Sequence, residues 1–144
     1  MEFSQNHLRV IAVGLYTLEK SLERVEETLT AGHKEKITYK LNDYADDKVR
    51  NTALQDIEQI RNIIRDLKNE LKLQPKEESI TSKVRGEAAH MWERLCDLGS
   101  SGLNRYGETP KDLADFLGPR VEELIEITLR IQNLMRTESN KSKR

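Results

Sequence analysis

The sequence has little cysteine, no excess of either charge and no long apolar run, and each shortage excludes a class of protein. Cys96 is the only cysteine, so one chain forms neither an internal disulfide nor a cysteine-based zinc site, and we expect a reducing, cytoplasmic location. The 24 basic and 25 acidic side chains balance, so we expect no nucleic acid or anionic membrane as partner. The start Met1-Glu2-Phe3-Ser4 lacks the basic flank of a signal peptide, and the apolar run from Val10 to Leu18 ends at Glu19, short of a membrane span of about 20 residues. We therefore expect neither a signal peptide nor a membrane span.

What the sequence does have is a regular spacing of apolar residues near its start. They recur at intervals of three and four without a miss, which is the heptad pattern of a coiled-coil helix with one apolar edge. Gly32 follows and suits a left-handed helix cap, so we predict a helix over residues 4–31. Such a helix must bury its edge against other helices. The heptad positions are Leu8, Ile11, Leu15, Leu18, Leu22, Val25 and Leu29.

Three further segments have helical spacing. We predict a second helix from Asp46 or Asp47 to the residues before Pro75, a third from 77–79 to Leu98, and a fourth from Thr109 onward, kinked or interrupted at Gly118-Pro119. The glycine-rich segment 99–107 is predicted to be a loop. The predicted buried faces are Ala53, Ile57, Ile60, Ile64, Leu67 and Leu71; Ile80, Val84, Ala88, Met91, Leu95 and Leu98; and Leu113, Phe116, Leu117, Val121, Leu124, Ile127, Ile131 and Leu134.

Residues 33–47 have a mixed pattern. Ile37, Tyr39 and Leu41 alternate as in a strand, whereas Ile37, Leu41 and Tyr44 fit one face of a helix. Because a long loop without structure of its own is unusual in a compact domain, we predict a short helix over 36–44. The alternative is one continuous helix over 35–73.

Four long amphipathic segments joined by short connections predict an all-α protein. The expected architecture is an antiparallel, up-down-up-down four-helix bundle with a kinked last helix. We expect one domain over 1–137, followed by a disordered polar tail over 138–144 that contains no apolar residue. The strict heptad of the first helix also favours self-association, so we expect a homodimer.

A carboxylate and a histidine lie one helical turn apart in the third helix. Glu87-x-x-His90 resembles the motif that ferritin-like di-iron bundles project inward from a helix, and the resemblance implies a di-metal site. Those bundles use two such motifs and two further glutamates, whereas this chain has one motif. The apolar spacing also places His90 on the outer face, so we predict a solvated pair.

Two pairs of acidic residues resemble the metal ligands of a second enzyme family. Glu23-x-x-Glu26 and Asp43-x-x-Asp46 are similar to the carboxylates with which all-α nucleotide pyrophosphohydrolases hold Mg²⁺, and the resemblance implies a triphosphate substrate. The second pair lacks the glutamate usual in that family. We therefore expect a solvated charge face and keep the metal-dependent enzyme as the alternative.

The segment from Thr109 to Ile127 resembles a helix-turn-helix, which implies a DNA-binding regulator as a second alternative. Its glutamates at 122, 123 and 126 would face phosphates, which argues against that function. We assign no catalytic, cofactor-binding or metal-binding residue. The prediction is a non-enzymatic protein–protein interaction or assembly module, with Trp92, Arg105 and Tyr106 as its candidate interaction surface, because these residue types dominate interface energies.

Overall fold

The computed structural model describes residues 2–141, and most of them are helical. The elements are α1 (Gln5–Ala31), β1 (Lys34–Glu35), β2 (Lys40–Leu41), α2 (Asp47–Glu70), α3 (Ile80–Asp97), α4 (Ser100–Leu103), a 3₁₀ turn (Asn104–Tyr106) and α5 (Lys111–Lys141). The predicted all-α class is confirmed, and so are the four long helices. The chain divides into two compact units, Met1–Lys76 and Glu77–Arg144; the single domain expected over 1–137 stays a prediction.

The ends of the first two long helices follow ordinary capping chemistry. The Ser4 hydroxyl accepts a hydrogen bond from the His7 N–H at 3.1 Å, and the Asp46 carboxylate accepts one from the Lys48 N–H at 3.2 Å. Both side chains satisfy donors that a helix start leaves unpaired. α1 ends before Gly32, as predicted, but Gly32 has a φ of 70° and a ψ of −160°, which is not the left-handed helical conformation predicted for the cap. Because α2 begins at Asp47, the alternative of one helix over 35–73 is wrong.

α1 and α2 pack against each other in the first unit. Leu22 and Ile57 are its buried apolar side chains, with 7% and 5% of their surface exposed. The Arg61 guanidinium donates a hydrogen bond to the Glu26 carboxylate and so joins the two helices. That bond raises the pKa of Arg61 above its ordinary value. The Lys76 ammonium, beyond the end of α2, lies 4.4 Å from the centre of the Tyr16 ring. Contacts thus move back along α1, from Glu26 to Tyr16, as they move forward from Arg61 to Lys76, so α1 and α2 are antiparallel.

The segment between α1 and α2 is a small hairpin, and the short helix predicted over 36–44 is wrong. The Lys36 N–H donates to the Tyr39 carbonyl at 2.9 Å across the turn. Ile37 is fully exposed, so a helix here would have no neighbour to cover its apolar face. Of the alternating residues Ile37, Tyr39 and Leu41, only Leu41 lies in a strand, and the other two lie in the turn. The antiparallel register pairs Lys34 with Leu41 and Glu35 with Lys40.

In the second unit, α3 packs along α5 through small side chains. Ala88 of α3 is 1% exposed, and Val121 and Thr128 of α5 are 5% and 3% exposed. The Thr128 hydroxyl donates to the Leu124 carbonyl at 2.8 Å, and this bond allows a polar side chain to be buried. The direction of α3 relative to α5 belongs to the predicted antiparallel architecture and stays a prediction.

The connection between α3 and α5 is more ordered than the predicted loop, since it contains α4 and the 3₁₀ turn. Gly102 is buried, and a Cβ atom there would lie 2.3 Å from the Asp97 carbonyl oxygen. Only glycine therefore fits this close approach. Further along, the Asn104 side-chain oxygen accepts hydrogen bonds from the Thr109 N–H at 3.0 Å and the Thr109 hydroxyl at 2.6 Å.

α5 is one helix of 31 residues, and Pro119 lies inside it. Pro119 has no N–H to donate to the Asp115 carbonyl. In the same turn, the Arg120 guanidinium donates to the Phe116 carbonyl at 2.7 Å. The predicted interruption at Gly118-Pro119 is therefore absent, and the predicted kink stays a prediction.

The C-terminal end of α5 extends into the segment that we predicted to be a disordered tail. Residues 138–141 are helical. The Thr137 hydroxyl donates to the Asn133 carbonyl at 3.1 Å, and the Lys141 ammonium lies 3.4 Å from the Glu138 carboxylate one turn earlier. These local interactions support a helix without apolar burial. Residues 142–144 of the predicted tail lie outside the described residues.

Candidate functional site

The heptad edge of α1 consists of two rows, and only one of them is covered. The leucines that recur every seven residues are buried or half-buried. The residues between them are 36%, 40% and 48% exposed. We call such an exposed set the open row of its helix. In α1 the covered row is Leu8, Leu15, Leu22 and Leu29, and the open row is Ile11, Leu18 and Val25.

The other three long helices are divided in the same way, so part of each predicted buried face is in fact exposed. The reason is that each unit contains two long helices, and one neighbour covers one row only. The sequence spacing indicated apolar positions but not how many neighbours a helix has. The open rows are Val49, Ile63 and Leu67 in α2; Ile80, Met91 and Leu98 in α3; and Leu113, Phe116, Leu124, Ile127 and Leu134 in α5, all between 39% and 80% exposed.

The open row of each long helix has the same offset from the covered side. In α5 the open residues Leu124 and Ile127 immediately precede Ile125 and Thr128, which are half-buried and buried. One residue is a rotation of about 100° around the helix axis. The same offset occurs in the other long helices, where an open residue precedes a half-buried one: Ile11 and Ala12 in α1, Ile63 and Ile64 in α2, and Ile80 and Thr81 in α3.

In an antiparallel pair of helices, an equal offset turns both open rows toward one side. We call the open rows of α1 and α2 together the α1–α2 face, and those of α3 and α5 together the α3–α5 face.

The accessible surface is large for the mass of the chain. It amounts to 12082 Å² for 16.7 kDa. A compact monomer of this mass exposes about 7,600 Å², and two separate globules of half the mass together expose about 9,200 Å². In the described part of the chain, the buried apolar side chains are Leu22, Ile57, Ala88 and Val121. The open rows thus remain in water for want of a neighbour.

The residues predicted as an interaction surface lie in the second unit. Trp92 is 43% exposed on α3, and Tyr106 is 90% exposed in the 3₁₀ turn. The Arg105 guanidinium is 3.9 Å from the Asp97 carboxylate. Within residues 2–141, no ring contact joins Trp92 to Tyr106. That these residues act together stays a prediction.

The first acidic pair of the alternative magnesium site forms ion pairs with basic side chains. Glu26 is ion-paired with Arg61, and the Glu23 carboxylate lies 3.9 Å from the Lys20 ammonium. Glu23 thus has its partner within α1, whereas Glu26 has its partner on α2. The Glu26–Arg61 ion pair joins the two helices.

The second acidic pair serves the start of α2. Asp46 is the helix cap, and Asp43 accepts hydrogen bonds from the Ala45 N–H, at 3.1 Å, and from the Arg50 guanidinium. The Ala45 bond and then the Arg50 bond lower the pKa of Asp43 below its ordinary value of 3.8. Asp43 also donates its backbone N–H to His33 Nδ1 at 3.2 Å. The sequence analysis missed this local network because its partners come from three separate segments.

Glu87 and His90 are both exposed on α3. His90 Nδ1 lies 3.9 Å from the Glu93 carboxylate, one turn farther along α3. Across the residues that the structure describes, no group of three or more histidine, cysteine, aspartate or glutamate side chains is arranged to hold a metal ion.

The segment that resembles a helix-turn-helix lies mostly within α5, which is continuous from Lys111 and has no turn at Gly118. A shallow surface hollow of about 410 Å³ lies farther along α5. A single helix supplies its whole lining, so it is a groove and not an enclosed site. Its lining residues are Glu126, Leu129, Arg130, Asn133, Leu134 and Thr137.

Among the described helices, none combines the length and the apolar character needed to cross a lipid bilayer. No protein-family model, no curated protein and no solved structure matches this chain. The functional argument therefore depends on the geometry of the two apolar faces.

Proposed function

We propose that this protein is a non-enzymatic module that binds protein helices through its α1–α2 face and its α3–α5 face. The observation that carries the proposal is the set of four open rows, collected on one side of each pair. Removing apolar surface from water is favourable by roughly 25 cal/mol per Å². Contiguous apolar patches on monomers are seldom larger than a few hundred Å² unless they bind something.

The finer architecture is part of the same proposal. An apolar face made by two antiparallel helices is covered best by a second pair of helices, and the four then share one core as an up-down-up-down bundle. The partner is a second copy of the chain or another helical protein. We also propose the cytoplasm as its location, since the exposed thiol of Cys96 stays reduced there.

Photo-cross-linking in the cell of origin tests this function. A photoreactive amino acid replaces Val25 or Leu124, both in open rows, and replaces Val13 or Leu129 as matched controls. Each control is the same residue type as the open-row residue it matches and lies on the same helix, outside the open row. Val13 is 60% exposed and Leu129 is 40% exposed. We expect protein adducts from positions 25 and 124 and few from 13 and 129. Equal yields at all four positions, or no adduct at any, would contradict the proposal.

Metal analysis of the purified chain tests the alternative of a metal-dependent enzyme. We expect no metal in stoichiometric amount after dialysis against Mg²⁺, Mn²⁺ or Fe²⁺ and gel filtration. One bound ion per chain that is lost in Glu26→Ala or in Glu87→Ala would favour the enzyme. Leu129→Ala is a suitable control, since it removes an exposed side chain without removing a carboxylate.

A further inference from the structure

The open row of α5 carries a charge pattern that is complementary to itself. Glu123 precedes Leu124 of the open row, and Arg130 precedes half-buried Ile131, which is one heptad after Leu124. In a helix–helix seam this is the flanking position at which charges meet across the interface. Both side chains are exposed, and neither forms an ion pair in the part of the chain that the structure describes. Both are therefore accessible to a partner.

An antiparallel copy of α5 satisfies both the charges and the apolar residues in one register. Glu123 and Arg130 are seven residues, or about 10.5 Å, apart along the helix, and they are symmetric about the point between residues 126 and 127. Leu124 and Ile127 are symmetric about the point between residues 125 and 126, which is one residue nearer the start of α5. In a two-fold arrangement every contact occurs twice, so Leu124 meets Ile127 and Glu123 meets Arg130 on both sides of the axis.

A parallel arrangement offers no such match. In a parallel seam, the residue that faces a flanking position lies five residues farther along the partner helix. Glu123 would then face Thr128, and Arg130 would face Met135. Both of these positions are uncharged, and they are buried or half-buried on the α3 side of α5. The charges thus select the antiparallel direction.

Arg120 interrupts the open row but leaves its centre apolar. Its guanidinium carbon lies 4.0 Å from the centre of the Phe116 ring, and its Nη1 donates a hydrogen bond to the Phe116 carbonyl. Phe116 is one turn toward the start of α5, so the charge is directed away from Leu124.

We propose that the partner of the α3–α5 face is a second copy of this chain, with the two α5 helices antiparallel and Glu123 of each copy ion-paired with Arg130 of the other. This inference rests on the proposed function, since it names the occupant of one of the two apolar faces. It assigns that face to a homodimer and leaves the α1–α2 face for other helices.

Charge reversal tests the register on the full-length chain, with the dimer dissociation constant measured by sedimentation and light scattering. Glu123→Arg and Arg130→Glu each replace two attractions by two repulsions, so we expect each to weaken the dimer about tenfold or more. The double variant E123R/R130E restores both pairs with their signs exchanged, and we expect its dissociation constant to return to within about twofold of the original.

Leucine substitutions test the apolar part of the interface. Leu124→Lys should leave monomers, whereas Leu129→Lys, on the same helix outside the open row, should leave the dimer intact. Circular dichroism of each variant confirms that the helices remain. The charge variants keep the test decisive even if Leu124→Lys unfolds.

Three results would overturn the inference. They are a wild-type chain that is monomeric up to about 100 μM, single reversals without effect, and a double variant as weak as the single ones. Cross-links from position 124 to a different protein would also overturn it while leaving the proposed function standing. The absence of cross-links at both 25 and 124 would overturn the proposed function itself.

Discussion

Single residues in this chain have structural roles that their surroundings make necessary. Gly102 is the clearest case, because the Asp97 carbonyl occupies the space of a Cβ atom. Thr128 is another, since a buried hydroxyl is acceptable only when it donates to the backbone, here to Leu124. Neither role follows from residue type or spacing. Both depend on which atoms the fold brings near.

Replacing Gly102 with alanine should destabilise the second unit. The added methyl group would overlap the Asp97 carbonyl carbon and oxygen, at 2.7 and 2.3 Å, and overpacking of this kind costs about 1–3 kcal/mol. Gly86 is the matched control, since a Cβ there meets nothing within 4 Å. Gly86→Ala should stabilise α3 by about 0.5–1 kcal/mol. Urea unfolding measures both; equal stability of the two variants would contradict the packing around Gly102.

Asp43 should make stability depend on pH in the acid range. The pKa of its carboxyl group is lowered in the folded chain, so the ionised form stabilises the fold. That contribution is complete above the ordinary value of 3.8 and is lost as the pH falls through the lower folded pKa. Asp43→Asn should therefore unfold at a lower temperature than the wild type at pH 7, with the difference shrinking below about pH 4.

The measurement for Asp43 is a series of thermal unfolding curves between pH 7 and pH 2. Asp56→Asn is a suitable control, because Asp56 is an exposed carboxylate on α2 outside the Asp43 network. A wild-type–variant difference that stays constant across this range would contradict the role assigned to Asp43.

At the scale of elements, each long helix separates the residues that fold the pair from those left for binding. Leu22 of α1 faces α2 and is 7% exposed, whereas Val25, less than one turn away, is 48% exposed. The heptad is uninterrupted across both. A regular apolar pattern therefore indicates surfaces that can be buried, and the number of neighbouring helices decides which of them are.

Two substitutions in α1 should separate folding from binding. Leu22→Ala should reduce the free energy of unfolding by about 2–3 kcal/mol, because it leaves a cavity between α1 and α2. Val25→Ser should change the stability of the dilute chain by about 0.5 kcal/mol or less, as expected for a surface position. Chemical denaturation at low protein concentration measures both. A large loss from Val25→Ser would show that another element of the chain already covers the open row.

At the scale of the whole molecule, the balance between buried and open apolar surface favours association. A chain with so few buried apolar side chains gains stability when a partner covers its faces, since whatever binds only the folded form stabilises it. Folding and assembly are then linked. The proposed homodimer makes that linkage measurable.

The melting temperature should rise with protein concentration. Between about 1 and 100 μM, mass action should shift the wild-type midpoint upward by several degrees. The midpoint of Leu124→Lys should be independent of concentration, and that of Leu129→Lys should follow the wild type. Differential scanning calorimetry provides the measurement. A wild-type midpoint that does not change with concentration would argue against linked folding and dimerisation.

The sequence by itself determined the helical class, the number and approximate bounds of the long helices, and caps such as Asp46 and Gly32. These features depend on interactions within a few residues, which spacing and residue type record directly. Only the tertiary structure decided that Ile37 lies in a hairpin turn, that Glu26 is paired with Arg61, and that half of each apolar edge stays open. Those outcomes depend on contacts between segments distant in the chain. The type and spacing of an apolar residue do not indicate which neighbour will cover it.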